Sequence, residues 1–209
     1  MKKYNDINFL PLDLPFASCD PKSIKSFMDT RGKRTDYLWT KQVNDPWRHV
    51  VVRVPEIEPL SDEIPGSGWR IDFKKRFSDV VKVVEMMPYN RIDYVYILEQ
   101  IIEVKPHLDV ASKNPLEDLE PATYRITLLM EDDETFYICN DNKCNEIIYP
   151  TFPKETNSWV FSNKNFMHGS KLSEKSARKV LLAVGGELNL EKHIELLNQS
   201  YTKYSMYAF

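Results

Sequence analysis

Pro106-His107-Leu108-Asp109 is the stretch that orders the rest of the chain. His107 and Asp109 stand two residues apart, and on an extended strand that spacing puts both side chains on one face. A second histidine from a later strand completes a set of two imidazoles and one carboxylate, which leaves three positions of an octahedral metal open. His168-Gly169 is the candidate for that strand. Ten residues beyond His168, Arg178 stands inside an apolar run, Ala177-Arg178-Lys179-Val180-Leu181-Leu182-Ala183-Val184. A guanidinium buried there needs an anion, and a bound dicarboxylate is one source of it.

On both sides of this stretch, from about Ile92 onward, short apolar runs alternate with turns, which argues a β-sandwich or jelly-roll core. Ile92 to Val104 reads as one long or broken strand leading into His107. Tyr124–Met130, Thr135–Cys139, Ile147–Phe152, Ser158–Phe161 and Arg178–Val184 are further strands, with Gly185-Gly186 breaking the last. Glu131-Asp132-Asp133-Glu134 is an exposed turn to which no metal is assigned. Upstream, Pro65-Gly66-Ser67-Gly68 introduces one amphipathic helix carrying Phe73, Phe77, Val80, Val81, Val84 and Met87, with Asp72 available as a cap and Pro88 as its end. Residues 1–68 read as an irregular cover with a short helix at Ser23–Met28 and a strand at His49–Val54. Tyr37, Trp39 and Trp47 are core packing first and pocket lining second. The chain is thus one domain: the cover over 1–68, a helix and jelly-roll core over 69–187, and a C-terminal helix behind Asn189 with an aromatic tail over 188–209.

Composition narrows the function. A chain of 209 residues with 42% hydrophobic and 28% charged residues can bury a sizeable core as an ordinary globular domain. Net charge −3 with interspersed signs leaves no electrostatic footprint for nucleic acid. No run approaches a membrane span and Met1-Lys2-Lys3-Tyr4 is too polar for a secretory signal, so a cytoplasmic protein without a membrane partner is expected. Cys19, Cys139 and Cys144 form no even framework; free thiols are favoured over a Cys139–Cys144 bridge across a turn.

The order His107-x-Asp109, then His168 about sixty residues on, then Arg178, resembles the Fe(II)/2-oxoglutarate-dependent oxygenases. The nearer likeness is to the aspartyl/asparaginyl β-hydroxylase-like branch, which includes proline cis-hydroxylases. It is carried by Lys105-Pro106-His107-Leu108-Asp109, Tyr124-Arg125-Ile126-Thr127, Trp159-Val160-Phe161 and Met167-His168-Gly169, and covers about Trp69 to Glu187. The resemblance implies a mainly β protein with flanking helices around a double-stranded β-helix (jelly-roll, cupin-like) core. It implies Fe(II) held by His107, Asp109 and His168, with 2-oxoglutarate and O2 as cosubstrates. The activity implied is a dioxygenase hydroxylating a small amino acid or peptidyl residue, with succinate and CO2 released. Arg178 is then the partner of the far carboxylate of 2-oxoglutarate, Tyr96 a hydroxyl beside it, and Arg125 a contact for a carboxylate of substrate or cosubstrate. Because Asp109 is present, a halogenase, which needs that position vacated, is disfavoured. Two other readings stay open: a cupin-like metalloprotein not using 2-oxoglutarate, and a non-catalytic binding module. The tail of Tyr201, Tyr204, Tyr207 and Phe209 is the candidate contact for a homodimer.

Overall fold

Alternation decides the layering. In a strand such as Tyr124-Arg125-Ile126-Thr127, successive side chains take opposite faces, so one face carries Tyr124 and Ile126 and the other Arg125 and Thr127. A sheet built of such strands has one mainly apolar face and one mixed face, and each needs its own cover. The structure is a computed structural model that describes residues 7–34, 47–54, 68–108, 123–131, 136–141, 143–162, 167–171 and 178–209.

In chain order the elements are β1 (Phe9–Pro11), α1 (Pro21–Arg31), β2 (Lys33–Arg34), β3 (Trp47–Val54), β4 (Gly68–Trp69), α2 (Ile71–Arg76), α3 (Ser78–Glu85), β5 (Tyr89–Gln100) and β6 (Val104–His107). They continue with β7 (Thr123–Met130), β8 (Phe136–Cys139), β9 (Ile147–Ile148), β10 (Ser158–Phe161), β11 (His168–Ser170), β12 (Lys179–Leu188) and α4 (Leu190–Tyr204), which runs into a 3₁₀ turn at Ser205–Tyr207. The larger sheet has the order β1-β10-β7-β12-β5-β3-β2, with β4 on β3; the smaller has the order β6-β11-β8-β9. Every pairing is antiparallel. The protein is therefore mainly β, with helices attached to one side. Among the described residues no helix is long and apolar enough to cross a membrane.

Two cores follow from the two faces. The apolar face of the larger sheet, with Val95, Ile97, Ile126, Leu182 and Val184, is covered by Ile24 and Met28 of α1, Phe73 of α2, Val80 and Val84 of α3 and Leu197 of α4. Burying each such side chain contributes about 1.5–3 kcal/mol. The mixed face meets the smaller sheet through a second cluster of Phe9, Phe136, Ile138, Trp159, Phe161 and Leu181. This second, aromatic core holds the site.

Several elements differ from the sequence expectation. The single helix expected before Pro88 is two, turning at Phe77 (φ −126°, ψ 47°), where the Phe77 ring packs against Phe27 and Phe73 at 5.6 and 5.0 Å. Asp72 is not the cap expected: Arg70 precedes the first helical residue, and Asp72 is the second residue of α2, its carboxylate accepting from Phe73 N at 2.9 Å. Gly185-Gly186 does not end β12, which runs to Leu188 through a register shift at that pair. A Cβ on Gly185 would overlap the Tyr94 ring, so the glycine lets that ring lie across the strand. Ile147–Phe152 is strand only at Ile147–Ile148. Cys139 and Cys144 are joined in a disulfide, where free thiols were expected, because the turn after β8 folds back at Cys144 (φ 52°). Within 1–68, the helix expected at Ser23–Met28 runs from Pro21 to Arg31, and β1, β2 and β3 belong to the larger sheet. Phe209 of the aromatic tail stacks on Phe9 at 5.6 Å and its carbonyl accepts from Asn8 N at 2.6 Å. Tyr37, Trp39, Pro65-Gly66-Ser67 and Asp132-Asp133-Glu134 lie outside the described residues.

Candidate metal centre and anion pocket

The site begins with a bulge. Opposite His168 on β11 stands His107 on β6, but Ser170 stands opposite Val104, so β6 spends one residue more than β11 between the two pairs. Pro106 falls in that interval, where a residue without an N–H costs the ladder nothing. The bulge turns His107 against His168, with ring centroids 4.4 Å apart and planes inclined by 49°. His107 Nδ1 is 2.9 Å from the carbonyl of Lys105, which can only accept. Nδ1 therefore carries the hydrogen, and the lone pair of the neutral ring is on Nε2, the arrangement that orients a metal-binding imidazole.

His168 is almost fully buried, with the Phe161 ring edge-on at 4.8 Å. Its neighbour must be glycine: a Cβ on Gly169 would lie 2.7 Å from the Val104 carbonyl and overlap the Tyr137 ring.

Lys179 opens β12 on the mixed face. It is 3% exposed, and its Nζ donates to Ser170 Oγ at 2.7 Å and lies 5.3 Å from the Phe136 centroid. Ser170 Oγ donates in turn to Gln100 Oε1 at 2.6 Å, and Gln100 Nε2 donates to the carbonyls of Ser170 at 3.0 Å and Ile102 at 3.2 Å. Burial pulls the Lys179 amine down to about 7. A cavity of about 120 Å³ joins these groups: His107, His168, Lys179, Ser170 and Arg125 line it, between walls that include Trp47, Phe136, Trp159 and Phe161. Among the described residues that line it there is no carboxylate, so the cavity carries cations and imidazoles. An anion is what it suits.

No protein-family model matches the chain, and no curated protein matches it. Among solved structures it resembles HygX from Streptomyces hygroscopicus, with nickel, 2-oxoglutarate and hygromycin B bound. That likeness has 13% identity and a TM-score of 0.43, and it covers 87% of this chain and 83% of that one. At that level it transfers neither fold nor chemistry.

The residues named from sequence fall in different places. His107 and His168 come together; Asp109 lies just outside the described residues, one position past Leu108. Arg125 lines the cavity, its guanidinium 5.8 Å from the Phe161 centroid and its Nη1 donating to the Tyr124 carbonyl at 3.0 Å. Tyr96 does not line it; its ring packs between Tyr94 at 4.9 Å and His49 at 6.2 Å. Arg178 is not among the lining residues either. Its side chain belongs to the opposite face, where it donates to Glu99 and, at 3.0 Å, to Asp29 Oδ1, a carboxylate that Arg48 shares. Hydrogen bonds from Arg178 and then Arg48 hold Asp29 below the usual carboxylate range. The anion that a buried arginine requires is thus supplied by the chain itself.

Lys179 and Gln100 were missed in the sequence, and Ser170 stood out there only as a neighbour of His168 with no role. The signal for Lys179 was the two-residue alternation of β12. Arg178 shares its face with Val180, Leu182 and Val184, the helix-covered set, whereas Lys179 shares its face with Leu181, Ala183 and Gly185. Gln100 carried no signal and Ser170 only its place beside His168, since a serine and a glutamine in strands are ordinary until a lysine is found beside them.

Proposed function

We propose that the protein is an Fe(II)- and 2-oxoglutarate-dependent dioxygenase that hydroxylates an unactivated C–H of a small amino acid or peptidyl residue, releasing succinate and CO2. The observation that carries this reading is the facing of His107 and His168 across a bulge, with the His107 lone pair on Nε2 and Asp109 two residues along the same chain. Two imidazoles and one carboxylate with positions left open suit ferrous iron. His107, Asp109 and His168 would hold it, and when bound it supplies the O2 activation that C–H hydroxylation needs.

The strand order supports a double-stranded β-helix. From β5 to β12 the chain deals β5, β7, β10 and β12 to the larger sheet and β6, β8, β9 and β11 to the smaller, the eight-strand, two-sheet arrangement of a jelly roll. The metal ligands lie on β6 and β11 and just past β6, with the segments before β5 and after β12 as covers.

In this reading Lys179 holds the far carboxylate of 2-oxoglutarate in place of Arg178, because Lys179 is the basic residue at the head of β12 that lines the cavity. Phe136, Trp159, Phe161 and Leu181 keep water from the reacting end. Arg125 is placed to orient a carboxylate of the substrate. The test is succinate release from 2-oxoglutarate with iron and ascorbate, in wild type and in His168→Ala. Succinate from the first and none from the second is expected; equal release from both, or no iron bound by the wild type, overturns the reading.

A further inference from the structure

Resting on that reading, we propose that the Cys139–Cys144 disulfide is a reversible thiol–disulfide exchange site, opened at Cys144 by a dithiol reductant, whose oxidised form holds His168 in its metal-binding position. The bridge joins the last residue of β8 to the turn that leads into β9. In the smaller sheet Ile148 of β9 stands opposite Ile138 of β8, Ile138 opposite His168 of β11, and His168 opposite His107 of β6. One row of the sheet thus runs from the bridged hairpin to both imidazoles, and Cys139 is the next residue along β8.

A second connection lies beside that row. Cys139 N donates to the carbonyl of Met167, the residue before His168, at 2.7 Å. Tyr149, just past β9, packs on Tyr137 at 6.1 Å, and the Tyr137 ring occupies the space that a Cβ on Gly169 would need. A shift of β9 therefore reaches β11 through the backbone ladder and through a packed ring.

The turn does not depend on the bridge for its shape. The Asp141 carboxylate accepts from Lys143 N at 2.7 Å and from Asn145 N at 3.1 Å, and Asn140 N donates to the Glu146 carbonyl at 2.9 Å. With its cysteines five residues apart, the bridge closes a short loop, where a cross-link stabilises a fold least. What it adds is a local constraint. Cys144 sits at φ 52°, a left-handed conformation that strains a residue bearing a Cβ, and the bridge ties it there. Opening the bridge frees Cys144 to leave that conformation, and β9, an edge strand of two residues, is the part of the ladder that loosens with it.

Access decides which sulfur is attacked. Cys139 is fully buried and Cys144 is half-buried. A thiolate of the reductant bonds to Cys144 Sγ, the bond between the two cysteine sulfurs breaks, and its electron pair goes to Cys139 Sγ, which takes up a proton. The second thiol of the reductant then closes a disulfide within the reductant and releases Cys144 as a thiol. The protein gains two electrons and two protons, and the dithiol loses them.

The experiment compares two forms of the full-length, metal-free protein: oxidised, and reduced with dithiothreitol that is then removed under nitrogen. Thiols counted after unfolding define the forms, Cys19 alone in the first and all three cysteines in the second. Amide hydrogen exchange in the peptide carrying Met167–Ser170 and Fe(II) binding by equilibrium dialysis are measured on both. In the reduced form exchange is expected to be about fivefold faster and iron about fivefold more weakly bound, and reoxidation restores both. Cys144→Ser is expected to match the reduced wild type with or without the reductant. A bridge that dithiothreitol fails to open in the folded protein, or exchange and iron affinity unchanged once all three thiols are free, overturns the proposal alone. Absence of bound iron in both forms overturns the function on which it rests.

Discussion

Replacing Lys179 by methionine removes the amine at the end of the anion pocket and keeps a chain of similar length and volume. In the unfolded chain a lysine titrates near 10.4, whereas in the fold burial holds Lys179 at about 7. The folded state therefore binds fewer protons than the unfolded state between those values, and stability rises with pH across the window and is flat below it. At about 1.4 kcal/mol per unit, the penalty at pH 7 is about 4 kcal/mol, falling to about 2 kcal/mol at pH 9. Ser170 loses one donor but keeps its bond to Gln100, a loss of about 1 kcal/mol at most. Lys179→Met is then more stable than wild type at pH 7 by about 3 kcal/mol, and it lacks the gain of about 2 kcal/mol that wild type makes from pH 7 to pH 9. It also fails to be stabilised by 2-oxoglutarate, which stabilises the wild type by binding only the folded state. Urea unfolding followed by tryptophan fluorescence at both pH values, with and without 2-oxoglutarate, measures all three. A methionine variant less stable than wild type at pH 7, or one that keeps the pH gain, refutes the reasoning.

Other perturbations separate the parts of the structure. His193, on the buried face of α4 with Nδ1 2.6 Å from the Tyr124 hydroxyl, is pulled down to about 4 by burial. Its contribution is complete above about 6.5 and is lost as pH falls towards 4, about 3 kcal/mol in all, so urea midpoints of wild type and His193→Gln converge on acidification. Arg178→Ala removes one of two cations from Glu99 and Asp29, and about 2 kcal/mol of stability with it, while the 2-oxoglutarate concentration for half-maximal succinate release stays at the wild-type value. Gly169→Ala forces a methyl group against the Val104 carbonyl and Tyr137, so iron affinity by equilibrium dialysis falls at least tenfold although no ligand is changed.

The histidine pair was legible because strand geometry is local: His107-x-Asp109 and His168-Gly169 needed only a β-rich context to be read as two edges of one site. Ser158–Phe161 and the Asn189-capped helix were legible for the same reason. Arg178 was the instructive case. Its burial next to an apolar run pointed to an anion, but nothing in the linear order showed that Asp29, 149 residues away on α1, and Glu99 on β5 would provide it. Which face of β12 looks into the cavity depends on which face the helices cover, a long-range fact. The turn at Phe77 was hidden likewise, since Phe73 and Phe77 have helical spacing whether or not the helix bends between them.

The central claim is that His107 and His168 hold one metal between them. Equilibrium binding of Fe(II) under nitrogen, measured for wild type, His107→Ala and His168→Ala, tests it most directly. One tightly bound iron per wild-type chain, lost in both variants while their unfolding midpoints remain close to wild type, is the result expected. Iron retained at wild-type affinity by either single variant would contradict it.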